Sequence, residues 1–173
     1  EKRIPGIDIK LKDKDILKFG DIEFLTILVP GHTNGHICFY SDEEKIIFTG
    51  DTLFSLGCGR VFEGTYSQML SSLNKIKNLP KETKIYCGHE YTKKNLEFCL
   101  KIENDNYFLK EKKEWINLRI NKKKPTLPIT LEEELNTNIF LRCDASSVKK
   151  TLGMESSSET EIFKKLRNLK DSF

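Results

Sequence analysis

The stretch "IEFLTILVPGHTNGHICFYSDEEKIIFTGD", residues 22–51, decides the fold. It opens with an apolar run rich in β-branched residues, and the pattern returns in "HICFY" and "KIIFTG". Short runs of this composition bounded by turn residues read as strands. The acidic turn "SDEE" between the last two makes residues 36–49 a hairpin. The loop inside the stretch raises the functional question, because it sets His32 and His36 four residues apart. On a helix two such imidazoles share a face and can reach one metal. Pro30-Gly31, the turn formers Thr33-Asn34 and Gly35 exclude a helix here, so the loop enters a strand at His36 and nearness in sequence does not pair the two rings.

Outward from this stretch, "KIYCG" at 84–88 reads as a further strand. Between them Thr65 and Gln68 form a capping box, and Leu70, Leu73, Ile76 and Leu79 follow at helical spacing until Pro80 stops the helix. From Tyr91 onward the texture is helical, with helices predicted over 93–103, 107–121, 131–136, 145–152 and 160–170. Thr130 with Glu133 and Ser158 with Glu161 have capping-box spacing, and Gly153 sits where a C-terminal glycine belongs. Lys122 to Pro128, with consecutive lysines and two prolines, reads as a linker that packs into neither neighbour.

A chain of 173 residues buries one ordinary core, and 38% hydrophobic with 32% charged residues describes a soluble, polar globule. A net charge of +3 does not by itself suggest nucleic acid. Five cysteines, an odd number with no CxxC pair, argue against a disulfide framework and for a reducing compartment. The longest apolar run, Ile22 to Pro30, contains Glu23 and is too short to span a bilayer. The chain begins at Glu1 without methionine, so it is expected to be a fragment of a longer protein.

Of three histidines, two lie in glycine-flanked loops beside apolar strands, "VPGHTNG" and "YCGHEYT", and the carboxylate of "FTGDTLF" occupies the same kind of place. His32, Asp51 and His89 thus form a candidate ligand set for a divalent ion, presented at one edge of a sheet. Each has an ordinary alternative. A histidine after a strand is more often a hydrogen-bonded structural residue, and "GDT" is also a common turn with an aspartate cap.

Three segments carry a family resemblance. "VPGHTNGHICFY", "IIFTGDTLFSLGCGRVFEGT" and "IYCGHEYTKKNLEF", followed by a tail ending "RNLKDSF", closely resemble the hydroxyacylglutathione hydrolases (glyoxalase II) of the metallo-β-lactamase superfamily. The match runs over essentially the whole chain, and "GCGR", "FEGT" and "CGHEYT" together are specific to this branch. The resemblance implies an α/β fold: the C-terminal portion of a metallo-β-lactamase αββα sandwich over 1–91, then a small all-α glutathione-binding domain over 92–173. It implies two divalent ions, zinc with iron or manganese as alternatives, with His32 on the first, His89 on the second and Asp51 bridging both as the catalytic carboxylate. His36 matches a non-ligand. The family's "THxHxDH" signature has no counterpart, since no His-x-His occurs in the chain, so the metal complement is expected to be incomplete here.

The implied reaction is hydrolysis of S-D-lactoylglutathione to glutathione and D-lactate by a metal-bound hydroxide, a step in methylglyoxal detoxification. Arg167 and Lys170 match the residues that hold the glycyl carboxylate, with Arg60, Phe62 and Tyr91 completing the substrate set. Arg60 stands where many relatives have lysine and Phe62 where they often have tyrosine. A cytoplasmic or organellar location, a monomer or weak homo-oligomer, and no nucleic-acid or membrane partner are expected. The alternatives are an inactive glutathione- or anion-binding module of the same fold, or a related superfamily member such as a persulfide dioxygenase with mononuclear iron.

Overall fold

A computed structural model describes residues 4–173. Strands β1 (Ile16–Phe19), β2 (Ile22–Leu28), β3 (Ile37–Ser41) and β4 (Ile46–Gly50) form an antiparallel meander. The hairpin expected over 36–49 is β3–β4, in register Phe39↔Phe48 and Ser41↔Ile46. Lys45 closes its turn at φ +50, and Lys45 and Tyr40 both donate to Asp42. A two-stranded ribbon, β5 (Leu53–Phe54) with β6 (Gly57–Cys58), follows at once.

Helix α1 (Tyr66–Lys77) starts on the Thr65–Gln68 capping box and buries Met69, Leu70, Leu73 and Ile76. It returns the chain to β7 (Lys84–Cys87), which pairs parallel to β4. Helices α2 (Thr92–Ile102) and α3 (Tyr107–Asn121) come next, then β8 (Ile129–Thr130), α4 (Leu131–Thr137), a 3-10 turn at Ile139–Leu141, α5 (Ser146–Leu152) and α6 (Glu159–Asp171). All five helices predicted in this half are present within two residues of their expected ends.

The sheet order is β1-β2-β3-β4-β7-β8. Because β2 and β4 are each antiparallel to β3, they run the same way, and β7 runs with them. The C-terminal ends of β2, β4 and β7 therefore meet at one edge, and the loops leaving that edge carry His32, Asp51 and His89. One face of the sheet, with Cys38, Ile47 and Ile85 fully buried, packs in a single apolar cluster with the helices, including Phe140, Ile162, Phe163 and Leu166 from the C-terminal half. On the other face Phe39, Phe48 and Tyr86 line up in register, with Phe48 and Tyr86 exposed. Among the described residues there is this one large sheet of the expected sandwich.

The linker expected over Lys122–Pro128 is corrected. Lys122 to Pro125 are exposed, but Thr126 is buried: its amide and hydroxyl both donate to Glu90 Oε1 at 2.6 Å, and Leu127 packs on the core. Charge repulsion keeps the lysines in solvent, while the next residues lead into β8, which pairs with β7 as Lys84↔Thr130 and Ile85↔Ile129. The segment after residue 91 is thus helical apart from one edge strand that it adds to the sheet.

Candidate metal centre and substrate cleft

Asp51 is placed by the end of β4. Gly50 turns the chain at φ +51, and the Asp51 amide donates to His36 Nε2 at 3.0 Å. His36 is therefore an acceptor under the loop, and burial followed by the neighbouring His32 lowers its pKa below the ordinary imidazole value, which suits a neutral ring in that role. His32 hydrogen-bonds the Arg60 carbonyl through Nδ1 at 2.9 Å. A carbonyl only accepts, so Nδ1 carries the proton and Nε2 is left with a free lone pair. That atom lies 3.5 Å from Asp51 Oδ2.

His89 is the mirror case. Its Nε2 lies 3.5 Å from the other carboxylate oxygen, Asp51 Oδ1. Its ring stacks on Tyr91, with centroids 5.0 Å apart and planes at 17°, and Tyr91 meets Phe54 edge-on. The loops crowd Asp51 so closely that two neighbours must be glycine. A Cβ on Gly59 would stand 2.0 Å from the Asp51 carbonyl oxygen, and one on Gly88 2.7 Å from Oδ1.

The donor set fits divalent metal. Among the described residues Asp51 Oδ1 is buried without a hydrogen-bond partner, which is costly unless something else satisfies it. Each N···O separation of 3.5 Å is long for a hydrogen bond; two bonds of about 2.1 Å meeting near the tetrahedral angle span it. A ligating imidazole whose other nitrogen is held by a carbonyl, as His32 is by Arg60, is the usual arrangement in such sites. The result is two half-sites, His32/Asp51 and His89/Asp51. Among the described residues no three His, Cys, Asp or Glu stand close enough together to hold an ion by themselves.

The half-sites form the floor of a cleft of about 510 Å³, and every residue expected to bind substrate lines it: Arg60, Phe62, Tyr91, Arg167 and Lys170. They are not equivalent. Arg167 is 4% exposed, with Nη1 on the Cys58 carbonyl at 2.8 Å and Nε and Nη2 both on Asp171 Oδ1 at 3.0 and 2.9 Å. Lys170 is partly open, with one donor on the Lys94 carbonyl at 3.1 Å and its ammonium over the rings of Phe98 and Phe173. Burial lowers its pKa to about 8. Arg60 is exposed and reaches Asp171 at 3.5 Å, while Phe62 lies against His32. Sequence reasoning missed Phe54, Lys94 and Phe173 in the lining. Lys94 had a signal, since it is three residues past Tyr91 on the same helix face, but the abundance of lysine hid it.

Residues 1–89 match the metallo-β-lactamase superfamily and residues 90–173 the hydroxyacylglutathione hydrolase C-terminus. A hydroxyacylglutathione hydrolase of Pelagibacter ubique is 53% identical over 99% of this chain and 66% of its own length, and one of Bartonella henselae is 46% identical over 100% and 68%. The chain belongs to the hydroxyacylglutathione hydrolase family. It spans about two thirds of the length of these family members. Among solved structures, a B3 metallo-β-lactamase, BLEG-1, aligns over 78% of this chain and 48% of its own with a TM-score of 0.53 at 25% identity. ETHE1 from Myxococcus xanthus aligns over 95% and 54% with a TM-score of 0.58 at 22% identity, a likeness of fold.

Proposed function

We propose that this chain acts in the hydrolysis of 2-hydroxyacyl glutathione thioesters, S-D-lactoylglutathione above all, giving glutathione and D-lactate. The observation that carries this reading is Asp51, whose two oxygens each face a different histidine at the floor of a cleft walled by cations. That sharing favours a binuclear centre over a mononuclear one. His32, Asp51 and His89 would hold divalent ions, with further ligands from outside the described residues because each half-site has only two donors. Zinc suits the imidazole and carboxylate set, and iron or manganese suits it next.

Bound there, such ions supply Lewis acidity and bring the pKa of coordinated water down to about 7. The residues do the rest. Asp51 balances the positive charge, the Arg60 carbonyl keeps His32 in its ligand tautomer, and the His36 ring holds the Asp51 amide. Lys170, Arg60 and Tyr91 hold glutathione so that its thioester lies over the floor, with Phe62 walling the acyl end. The water oxygen adds to the thioester carbon, the C–S bond breaks with its electron pair on glutathione sulfur, and of the two water protons one ends on that thiolate and the other passes to solvent, leaving the acid as its carboxylate. A thiolate is a good leaving group, since thiols ionise near pH 8.5 (about that of free cysteine), so no strong acid is needed beside it.

A cytoplasmic setting is part of the proposal, supported by five free cysteines. Among the described residues no helix is long and apolar enough to cross a membrane. The test is thiol release from S-D-lactoylglutathione by the full-length protein, before and after metal removal, alongside calorimetric titration of zinc. Metal-dependent release is expected. Full activity after complete chelation, or glutathione binding with no hydrolysis when metal-loaded, would overturn the hydrolase reading.

A further inference from the structure

The β5–β6 ribbon joins Asp51 to Arg60, and its backbone is held from the helical half almost group by group. Asn138 Nδ2 donates to the carbonyls of Phe54 at 3.4 Å and Gly57 at 3.1 Å, and Asn95 Nδ2 to that of Ser55 at 2.9 Å. The Cys99 thiol donates to the Leu56 carbonyl at 3.3 Å, and Arg167 holds Cys58. One bond runs the other way. The Leu56 amide donates to Glu134 Oε2 at 2.8 Å, and the same oxygen accepts from Asn138 at 2.8 Å.

Leu56 needs holding, because it is fully buried at φ +60, where a side-chain-bearing residue is costly. Glu134 is an expensive way to do it. It is 0% exposed, its Oε1 has no hydrogen-bond partner among the described residues, and burial pushes its pKa up to about 7. An apolar side chain of the same size would fill the space without that penalty but would leave the Leu56 amide unpaired.

The far end of the ribbon touches the candidate ligands. Gly59 lies against the Asp51 carbonyl, its amide donates to the Thr52 carbonyl at 3.3 Å, and the Arg60 carbonyl fixes Nδ1 of His32. We propose that Glu134, together with Asn138, is a positioning residue: it sets the ribbon, and through the ribbon the tautomer of His32 and the place of Asp51. Its functional meaning rests on reading those two side chains as metal ligands, but its geometric content does not. The helical half is then part of the metal centre's scaffold as well as a wall of the cleft.

The ring nitrogens of His32 report this directly by 15N NMR of the full-length protein stripped of metal, at a pH where the imidazole is neutral. The wild type should show Nδ1–H as the dominant tautomer. Glu134→Gln, which keeps an oxygen for the Leu56 amide, should retain it, and Glu134→Leu should lose it, with the Nε2–H form growing in. Should Glu134→Leu fail to fold, Asn138→Ser, a smaller change that withdraws the donor from Phe54 and Gly57, carries the same expectation. A folded Glu134→Leu or Asn138→Ser protein with the His32 tautomer unchanged overturns the proposal, whatever its stability. No substrate or metal enters the measurement, so failure of the hydrolase reading and failure of this one are separate results.

Discussion

On the sheet wall of the cleft, His32 and His89 turn their Nε2 atoms toward Asp51, whose Oδ1 is buried and unpartnered among the described residues. On the helical wall, Arg167 faces the same cavity with its donors committed to Asp171 and Cys58. A side chain can therefore line a site without being free to act in it. Polar atoms left without a protein partner mark where a ligand completes the structure, whereas fully engaged ones mark scaffold. Lys170 lies between these cases, with one proton on the Lys94 carbonyl and no ion pair among the described residues.

The sharpest way to break this contrast is Asp51→Asn in the full-length enzyme. If Asp51 bridges two dications as proposed, a neutral amide cannot balance them, so turnover should fall by more than about a hundredfold, with loss of bound metal. Steady-state kinetics with metal analysis checks it; full loading and unchanged turnover would sink the assignment of the sheet wall.

Arg167→Ala comes next, and the structure changes what is expected of it. A direct grip on the glycyl carboxylate predicts a higher KM alone. A buried guanidinium tied to Cys58 and Asp171 predicts a loss of about 2–3 kcal/mol in folding stability, read from the denaturant midpoint, with Arg167→Lys recovering little because it lacks the planar fork. An unaltered midpoint with a raised KM would return Arg167 to the substrate.

For Lys170→Ala the expectation is a tenfold rise in KM, about 1.4 kcal/mol, with kcat little changed, because a remote carboxylate is held equally in ground and transition states. Its pKa of about 8 adds a pH signature. Above that pH the ammonium loses its proton and KM should climb, and the variant should lack that climb. Stability moves oppositely. Between about 8 and the ordinary value of 10.5 the unfolded chain binds more protons than the folded one, so this residue makes stability rise with pH across that window. The smallest effect should come from Phe62→Tyr, an exposed ring beside His32. One added hydrogen bond to substrate would lower KM about threefold, near 0.6 kcal/mol, and leave the melting temperature almost unmoved.

Much of this was legible in the sequence because the signals are local. Capping boxes at Thr65, Thr130 and Ser158 mark real helix starts, and all three are present. The turn chemistry of Pro30 to Gly35 correctly excludes a helix there, although the His32 and His36 rings still meet edge-on with centroids 5.6 Å apart. What escaped depends on partners distant in the chain. β8 is two residues long and exists only because β7 offers an edge. Thr126 is buried by Glu90 and Thr92, which nothing in "KKKPTLP" reveals. The same holds for Arg167: spacing placed it on the right face of α6, but its acceptor, the Cys58 carbonyl, belongs to a ribbon no pattern announced.

The position of β7 has a consequence for the order of assembly. β2, β3 and β4 pair with their sequence neighbours, so the loops bearing His32 and Asp51 hang from a hairpin array that closes over short chain separations. β7 takes one partner from residues 46–50 and the other from residues 129–130. Long closures are slow because entropy is lost before contacts repay it. We expect His89 to reach Asp51 late in folding, after the His32 half-site has formed. Pulsed hydrogen exchange during refolding would show it as protection at Phe39 and Tyr40 preceding protection at Ile85 and Tyr86, and simultaneous protection would refute it.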